Sequence, residues 1–302
     1  MKKYLLPALL MAATTAFAAD SQSGTGETDG FKLVWQDLFD FGTLNPDRWN
    51  IEVNGSGGGN NELQYYTDRT ENVRVGDDGR GNGCLILTAR REDYINRSFT
   101  SGRVNTLGKR TFTHGKVEAS IRLPKTANGL WPAFWMMGND YDQVGWPRCG
   151  EIDIMEMGHG DGIAAGTHDR LFNGALHWAN ADGSHAQYAG VSTNSYNIQD
   201  GEFHLFTLIW DESEIRMYLD LDRNPSAEPY LTMKVSEGEL ASQFHKPGFI
   251  LFNLAVGGDF PGIHDAEDVT ALNDGNSQSQ SMFVNYVKVY EKTSEMTLNT
   301  EK

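Results

Sequence analysis

In the stretch GKVEASIRLP, Val117, Ala119, Ile121 and Leu123 alternate with Lys116, Glu118, Ser120 and Arg122. A period of two puts one set of side chains on each face of an extended strand, so this segment is a strand with one buried face. The period returns in EIRMYLDL, where Ile215, Met217 and Leu219 alternate with Arg216, Tyr218 and Asp220. FHLFTLIW precedes it as another strand, and Asp211-Glu212-Ser213 suits the turn between the two. CLILTARR and FVNYVKVYE supply two more strands, and no long segment carries a helical period. Many short strands joined by Gly- and Asn-rich turns predict an all-β fold, a sandwich of two antiparallel sheets. Such sheets bend, and one face becomes concave enough to hold an extended polymer. The chain of 302 residues has room for one all-β domain of about 250.

The ends read differently from the body. MKKYLLPALLMAATTAFAAD has a positive start at Lys2 and Lys3, an apolar run, and Ala16-Phe17-Ala18 as a small-x-small site. That predicts an export signal over residues 1–18, cleaved after Ala18. The apolar run is too short to span a bilayer comfortably. A secreted protein is expected, extracellular or periplasmic, with no membrane association after cleavage. Residues 19–30 are small and polar, a flexible lead-in. Residues 31–291 are expected to form one domain, and 292–302 a fraying tail. The two cysteines, Cys84 and Cys149, could pair in an oxidising compartment or remain separate thiols. The formal net charge of −16 argues against nucleic acid and against a highly sulfated substrate, and favours a neutral ligand. A monomer is expected.

CGEIDIMEMG, residues 149–158, sets Glu151, Asp153 and Glu156 into an apolar run, where acids cost desolvation energy. Alternation puts Glu151 and Asp153 on one face but would send Glu156 to the other. A β-bulge around Ile154-Met155 takes up the extra residue and returns Glu156 to the acidic face. Four effective steps of ~3.3 Å separate the two glutamate backbones by roughly 13 Å. Side chains leaning inward by ~4 Å each would leave roughly 5 Å between the carboxyls, the separation of a retaining glycosidase. One carboxylate must then attack the anomeric carbon while the other keeps a proton for the leaving oxygen. Asp153 between them can tune the pair, since each ionised neighbour raises the next group's pKa. A solvated acidic face would explain the acids equally well in a generic strand. The flanking Ile152, Ile154, Met155 and Met157 weigh against it.

GLWPAFWMMG carries Trp131 and Trp135 on one strand face, flat apolar platforms for the C–H faces of sugars, although most tryptophans simply pack in cores. Trp146 and Trp178 are weaker candidates. His177 in GALHW could hydrogen-bond a sugar hydroxyl or assist near the leaving group. NGSGGGNNELQYYT offers Asn54, Asn61 and Glu62 for sugar hydroxyls at one end of the cleft, and Asn253 in LFNLAVGGDFPG could be a buried polar orienter. GHGDGIAAG lacks the lysine and the βαβ setting of a phosphate loop. His159, Asp161, His168 and Asp169 lack HExxH spacing, so zinc catalysis is not indicated. No GxSxG elbow appears.

In this order, NNELQYYT, GLWPAFWMMG, GEIDIME and NLAVGGDFPG resemble the laminarinase branch of glycoside hydrolase family 16, the bacterial endo-1,3-β-glucanases. The resemblance covers roughly residues 31–291. It implies a concanavalin A-like β-jelly roll with a concave cleft and a retaining double displacement. Matched to the motif, Glu151 is the nucleophile, Asp153 the helper and Glu156 the acid/base, with Trp131 and Trp135 as cleft tryptophans. The bulged E-x-D-x-x-E form separates the chain from lichenase-type and xyloglucan-transferase branches. Agarase and carrageenase branches share it. A laminarin-like 1,3-β-glucan is the implied substrate, with mixed-linkage 1,3-1,4-glucan second. An agarase-like galactan hydrolase and a non-catalytic β-glucan-binding protein are the rivals. Both glutamates are present, which speaks against the binding protein. No cofactor is needed for the chemistry. Many members hold a structural calcium through an aspartate near the last strand. Asn285 stands there, so a calcium site is expected to be weak. Phe260 stands where members often have tryptophan.

Overall fold

The computed structural model describes residues 27–28, 30–40, 42–194, 196–273 and 277–293. The export signal over 1–18, most of the lead-in and nearly all of the tail lie outside the described residues. Two sheets face each other. The first has 7 strands in the order His185–Thr193, Leu171–Ala179, Glu151–Met157, Leu130–Gly138, Gly248–Val256, Arg103–Asn105 and Asn50–Ile51. Its ladders are all antiparallel. The second has 11 strands and is centred on Gly115–Arg122, Ser279–Lys292 and Gly83–Tyr94.

The alternation read from the sequence becomes the packing. From Gly115–Arg122, Val117, Ala119 and Ile121 enter the core. From the facing sheet come Phe134, Ile154, Phe252 and Leu254, and the Phe134 and Phe252 rings stack at 4.8 Å. Each such side chain contributes roughly 1.5–3 kcal/mol on burial. The opposite side chains of the 7-stranded sheet, among them Glu151, Asp153, Trp135 and Asn253, are left for the cleft. The Asp211 turn forms as expected, its Oδ1 accepting from the N–H groups of Ser213 (2.9 Å) and Glu214 (3.1 Å).

Two glycines let the site's central strands approach their neighbours. A Cβ on Gly138 would stand 1.9 Å from the Cys149 carbonyl oxygen, and one on Gly158 2.1 Å from that of Leu130. Gly158 also has φ of +104°, which other residues rarely adopt. Together they hold Glu151–Met157 tight against Leu130–Gly138 at both ends.

Several expectations shift. Gln64–Tyr66 pairs with Arg97–Ser101 in parallel, an exception in a sandwich expected to be antiparallel. Glu27–Thr28, inside the expected lead-in, forms a short hairpin ladder with Phe31 and Lys32. Ser279–Lys292 runs one residue into the segment expected to fray. The helices are short pieces: Tyr141–Val144, Gly160–Ala165 and Gly238–Phe244. Cys84 and Cys149 are separate, buried thiols, each pushed up to about 12 chiefly by burial.

Asn285 lies in the sheet away from the cleft, and its Nδ2 donates to the Gly83 carbonyl at 2.9 Å. The amide thus clasps Ser279–Lys292 to Gly83–Tyr94. Among the described residues, the one group of three acidic, histidine or cysteine ligands is in the other sheet. The amide donor turned onto a carbonyl makes Asn285 a strand clasp.

Candidate active site

The acidic strand carries its bulge where the spacing placed it. Against Leu130–Gly138, Met155 pairs with Phe134 and Asp153 with Trp135, so Ile154 is the extra residue. The ladder with Leu171–Ala179 breaks between Asp153 and Glu156 in the same way. Ile154 and Met155 both turn into the core at 0 % exposure. Burying two consecutive apolar side chains brings Glu156 back to the face of Glu151 and Asp153.

Each acid has its own partners. Trp146 Nε1 donates to Glu151 Oε2 at 3.1 Å, and Trp131 Nε1 donates to Glu156 Oε1 at 3.0 Å. His177, on the neighbouring strand opposite Glu151, sets its Nε2 3.1 Å from Asp153 Oδ2 and 3.9 Å from Glu151 Oε1. Its Nδ1 lies 2.9 Å from His185 Nε2. His177 therefore faces both Asp153 and Glu151.

Burial raises all three acids. Glu151 is pushed up to about 8, first by desolvation and then by the charge of Asp153, while His177, Arg103 and the Trp146 N–H pull it down. Desolvation also lifts Asp153 to about 8. Glu156 is raised well above the usual carboxylate range by desolvation and by both other acids, with His177 and Trp131 opposing. Glu151 alone of the two glutamates has Arg103 and Trp146 among its stabilising neighbours. These donors favour an ionised Glu151 over an ionised Glu156.

A second network begins at Trp135. Its Nε1 donates to Asn253 Oδ1 at 2.7 Å, Asn253 Nδ2 donates to the Tyr66 hydroxyl at 3.3 Å, and that hydroxyl donates to Glu62 Oε2 at 3.0 Å. Asn253 is the buried orienter that the sequence suggested. Arg103 lies over the Trp135 ring at 4.8 Å and is held by Glu52 at 2.9 Å.

The other candidates divide. Trp135 is half-buried on the cleft face. Trp131 is 9 % exposed, with its ring stacked on Phe260 at 4.6 Å, so it offers the cleft its N–H more than an open face. Glu62 is 3 % exposed and its carboxylate is taken up by Gln64 and Tyr66, so it braces the cleft end instead of reaching for a ligand. Asn61 is exposed and ties its loop to Asp259 at 3.0 Å. Asn54 spends its side-chain oxygen on Ser56, and its backbone bridges to Tyr66. His159 stays with Asp161, and Asp169 with Arg170, so the four discounted residues form no common centre. Trp178 packs against the core.

Sequence reasoning missed Arg103 and His185 and ranked Trp146 too low. Arg103 sits on a three-residue strand with no motif around it. His185 comes to His177 only through the pairing of Leu171–Ala179 with His185–Thr193. Trp146 lies in a connection before the acidic strand, where no periodicity says which way a ring points.

Residues 60–236 match the model of the glycosyl hydrolases family 16. The chain is 40 % identical over 240 residues to a glucan endo-1,3-beta-glucosidase of Cryptopygus antarcticus, covering 76 % of this chain and 82 % of the relative. It is 33 % identical over 267 residues to the clotting factor G alpha subunit of Tachypleus tridentatus, covering 87 % of this chain but only 34 % of that longer protein. Among solved structures it is similar to a mixed-linkage-glucan family 16 protein of Bacteroides ovatus in complex with G4G4G3G product. The TM-score is 0.73 at 39 % identity, over 84 % of this chain and 99 % of that one.

Proposed function

The chain belongs to glycosyl hydrolase family 16 and is a glycoside hydrolase, and from that premise we propose a secreted, retaining endo-1,3-β-glucanase that also accepts mixed-linkage 1,3-1,4-glucan. The observation that carries the mechanism is the bulged strand, which presents Glu151 and Glu156 on one face with different donors. The 1,3-β-glucan assignment rests on the Cryptopygus relative, and the mixed-linkage one on the Bacteroides structure. Export rests on the pattern of residues 1–18.

In the first step the Glu151 carboxylate attacks the anomeric carbon. The bond to the leaving oxygen breaks, and Glu156 delivers its proton there. In the second, Glu156 takes a proton from water, whose oxygen attacks the same carbon and releases Glu151. Two inversions return the original configuration. Asp153 lies beside the pair and, when ionised, raises both glutamates.

Proton NMR of the first sugar released from laminarin should show the β-anomer. An α-anomer would sink double displacement. The same digest separates the rivals: early oligosaccharides mark endo-cleavage, bound but uncut laminarin marks a binding protein, and release from agarose alone marks a galactanase. Fractionating cells that express the full chain checks export.

Trp131→Phe keeps an aromatic ring but removes the N–H that favours ionised Glu156. The high-pH limb of the kcat/KM profile should therefore move to higher pH, with the low-pH limb unmoved. An unchanged high-pH limb would remove Trp131 from the control of the acid/base.

A further inference from the structure

The catalytic face also has the makings of a site for a transition-metal cation. His177 Nε2 is 3.1 Å from Asp153 Oδ2 and 3.9 Å from Glu151 Oε1, and the three ligand atoms lie within 4.8 Å of one another. Ligands at ~2.0–2.2 Å around a tetrahedral ion stand roughly 3.3 Å apart, so one of these spacings already fits and a small swing of Glu151 supplies the other.

Three features beyond the acidic cluster point to an ion. Asp153 is 4 % exposed, and its Oδ2, although close to His177, takes part in no hydrogen bond. A buried acceptor of this kind usually has a partner. His177 has its remote nitrogen held by His185 at 2.9 Å, the outer hydrogen bond that orients metal-binding imidazoles. Glu151 has Oε2 held by Trp146, which leaves Oε1 toward His177. Donor and ligand atoms are thus sorted before any ion arrives.

We infer that Glu151, Asp153 and His177 bind a borderline-soft divalent cation of the Zn²⁺ class, and that the bound ion inhibits the enzyme by occupying the nucleophile. Two carboxylates and one imidazole are a donor set that suits zinc, and the fourth position is left to water. The ion has no part in the hydrolysis derived above. It engages the Glu151 lone pair that the anomeric carbon needs, so metal and glucan exclude each other.

Titration calorimetry with Zn²⁺ alone, on the mature chain stripped by chelator, tests the site without any substrate and so independently of which glucan is cut. One ion per chain is expected. His177→Gln and Asp153→Asn should each raise Kd at least tenfold. His264→Gln, which alters an exposed pair with Asp259, should leave it unchanged. No uptake up to millimolar Zn²⁺, or an equal Kd in folded His177→Gln, overturns the assignment. Should those variants fail to fold, the Co²⁺ spectrum of the unaltered protein decides. An intense four- or five-coordinate d–d band without thiolate charge transfer supports the site. A band like that of hydrated Co²⁺, or one showing thiolate from Cys84 or Cys149, overturns it.

Discussion

Glu156→Gln should lower turnover of a natural β-glucan by roughly 10²–10⁴-fold, the usual worth of a positioned general acid. Its Oε1 takes the Trp131 N–H, and burial with two acidic neighbours holds its proton, so the amide that replaces it can donate no proton to a leaving oxygen. An aryl glycoside with a good leaving group needs little protonation, so the first step should recover and the glycosyl-enzyme should accumulate. Glu151→Gln should lose at least as much and recover nothing, because no leaving group replaces a missing nucleophile. Burst kinetics on the aryl substrate read both variants. Rescue of Glu151→Gln and not of Glu156→Gln would mean that the two roles are exchanged, and an equal response from both would overturn the assignment.

Much of this site was legible because it obeys a local rule by breaking another. In EIDIMEM the alternation slips by one residue, and a strand can absorb the slip only as a bulge. The acids, the bulge and the apolar face behind it all follow from seven consecutive residues. The fold class was legible for the same reason, since period-two patterning in Gly115–Arg122 and Glu214–Leu219 leaves little choice of element. What the sequence hid was whatever depends on strand order. Arg103 reaches Trp135 because Arg103–Asn105 pairs with Gly248–Val256, which in turn pairs with Leu130–Gly138. Nothing local encodes that adjacency. Glu62 misled for a related reason. An acid in a Gly- and Asn-rich loop looks exposed, yet Gln64 and Tyr66 fold back onto it. Trp131 is half legible: its strand and face follow from spacing, but the cover by Phe260 comes from a loop more than a hundred residues away.

The same burial that readies the acids should make the fold weaken as pH rises, and Glu151→Gln should relieve it. Glu151 stands at about 8 in the folded chain against an ordinary value of 4.5. Between those values the unfolded chain releases a proton that the folded chain keeps. Ionisation then favours unfolding, by up to about 1.4 kcal/mol for each pH unit. The stability tied to the protonated group is whole below about pH 4.5 and is lost as pH climbs through about 8. Asp153 and Glu156 are raised in the same direction, so the measured slope belongs to the trio. A glutamine at 151 carries no such proton and puts no charge beside the other two. Thermal melts from pH 5 to 9 should therefore show Glu151→Gln gaining on the native chain as pH rises, with the gap levelling once Glu151 has ionised in the folded state. A gap that stays constant across this range would mean that the fold does not bear the cost of charging these acids. A widening gap would tie activity and instability to one cause, because the desolvated site that keeps Glu156 protonated also makes the face costly to charge.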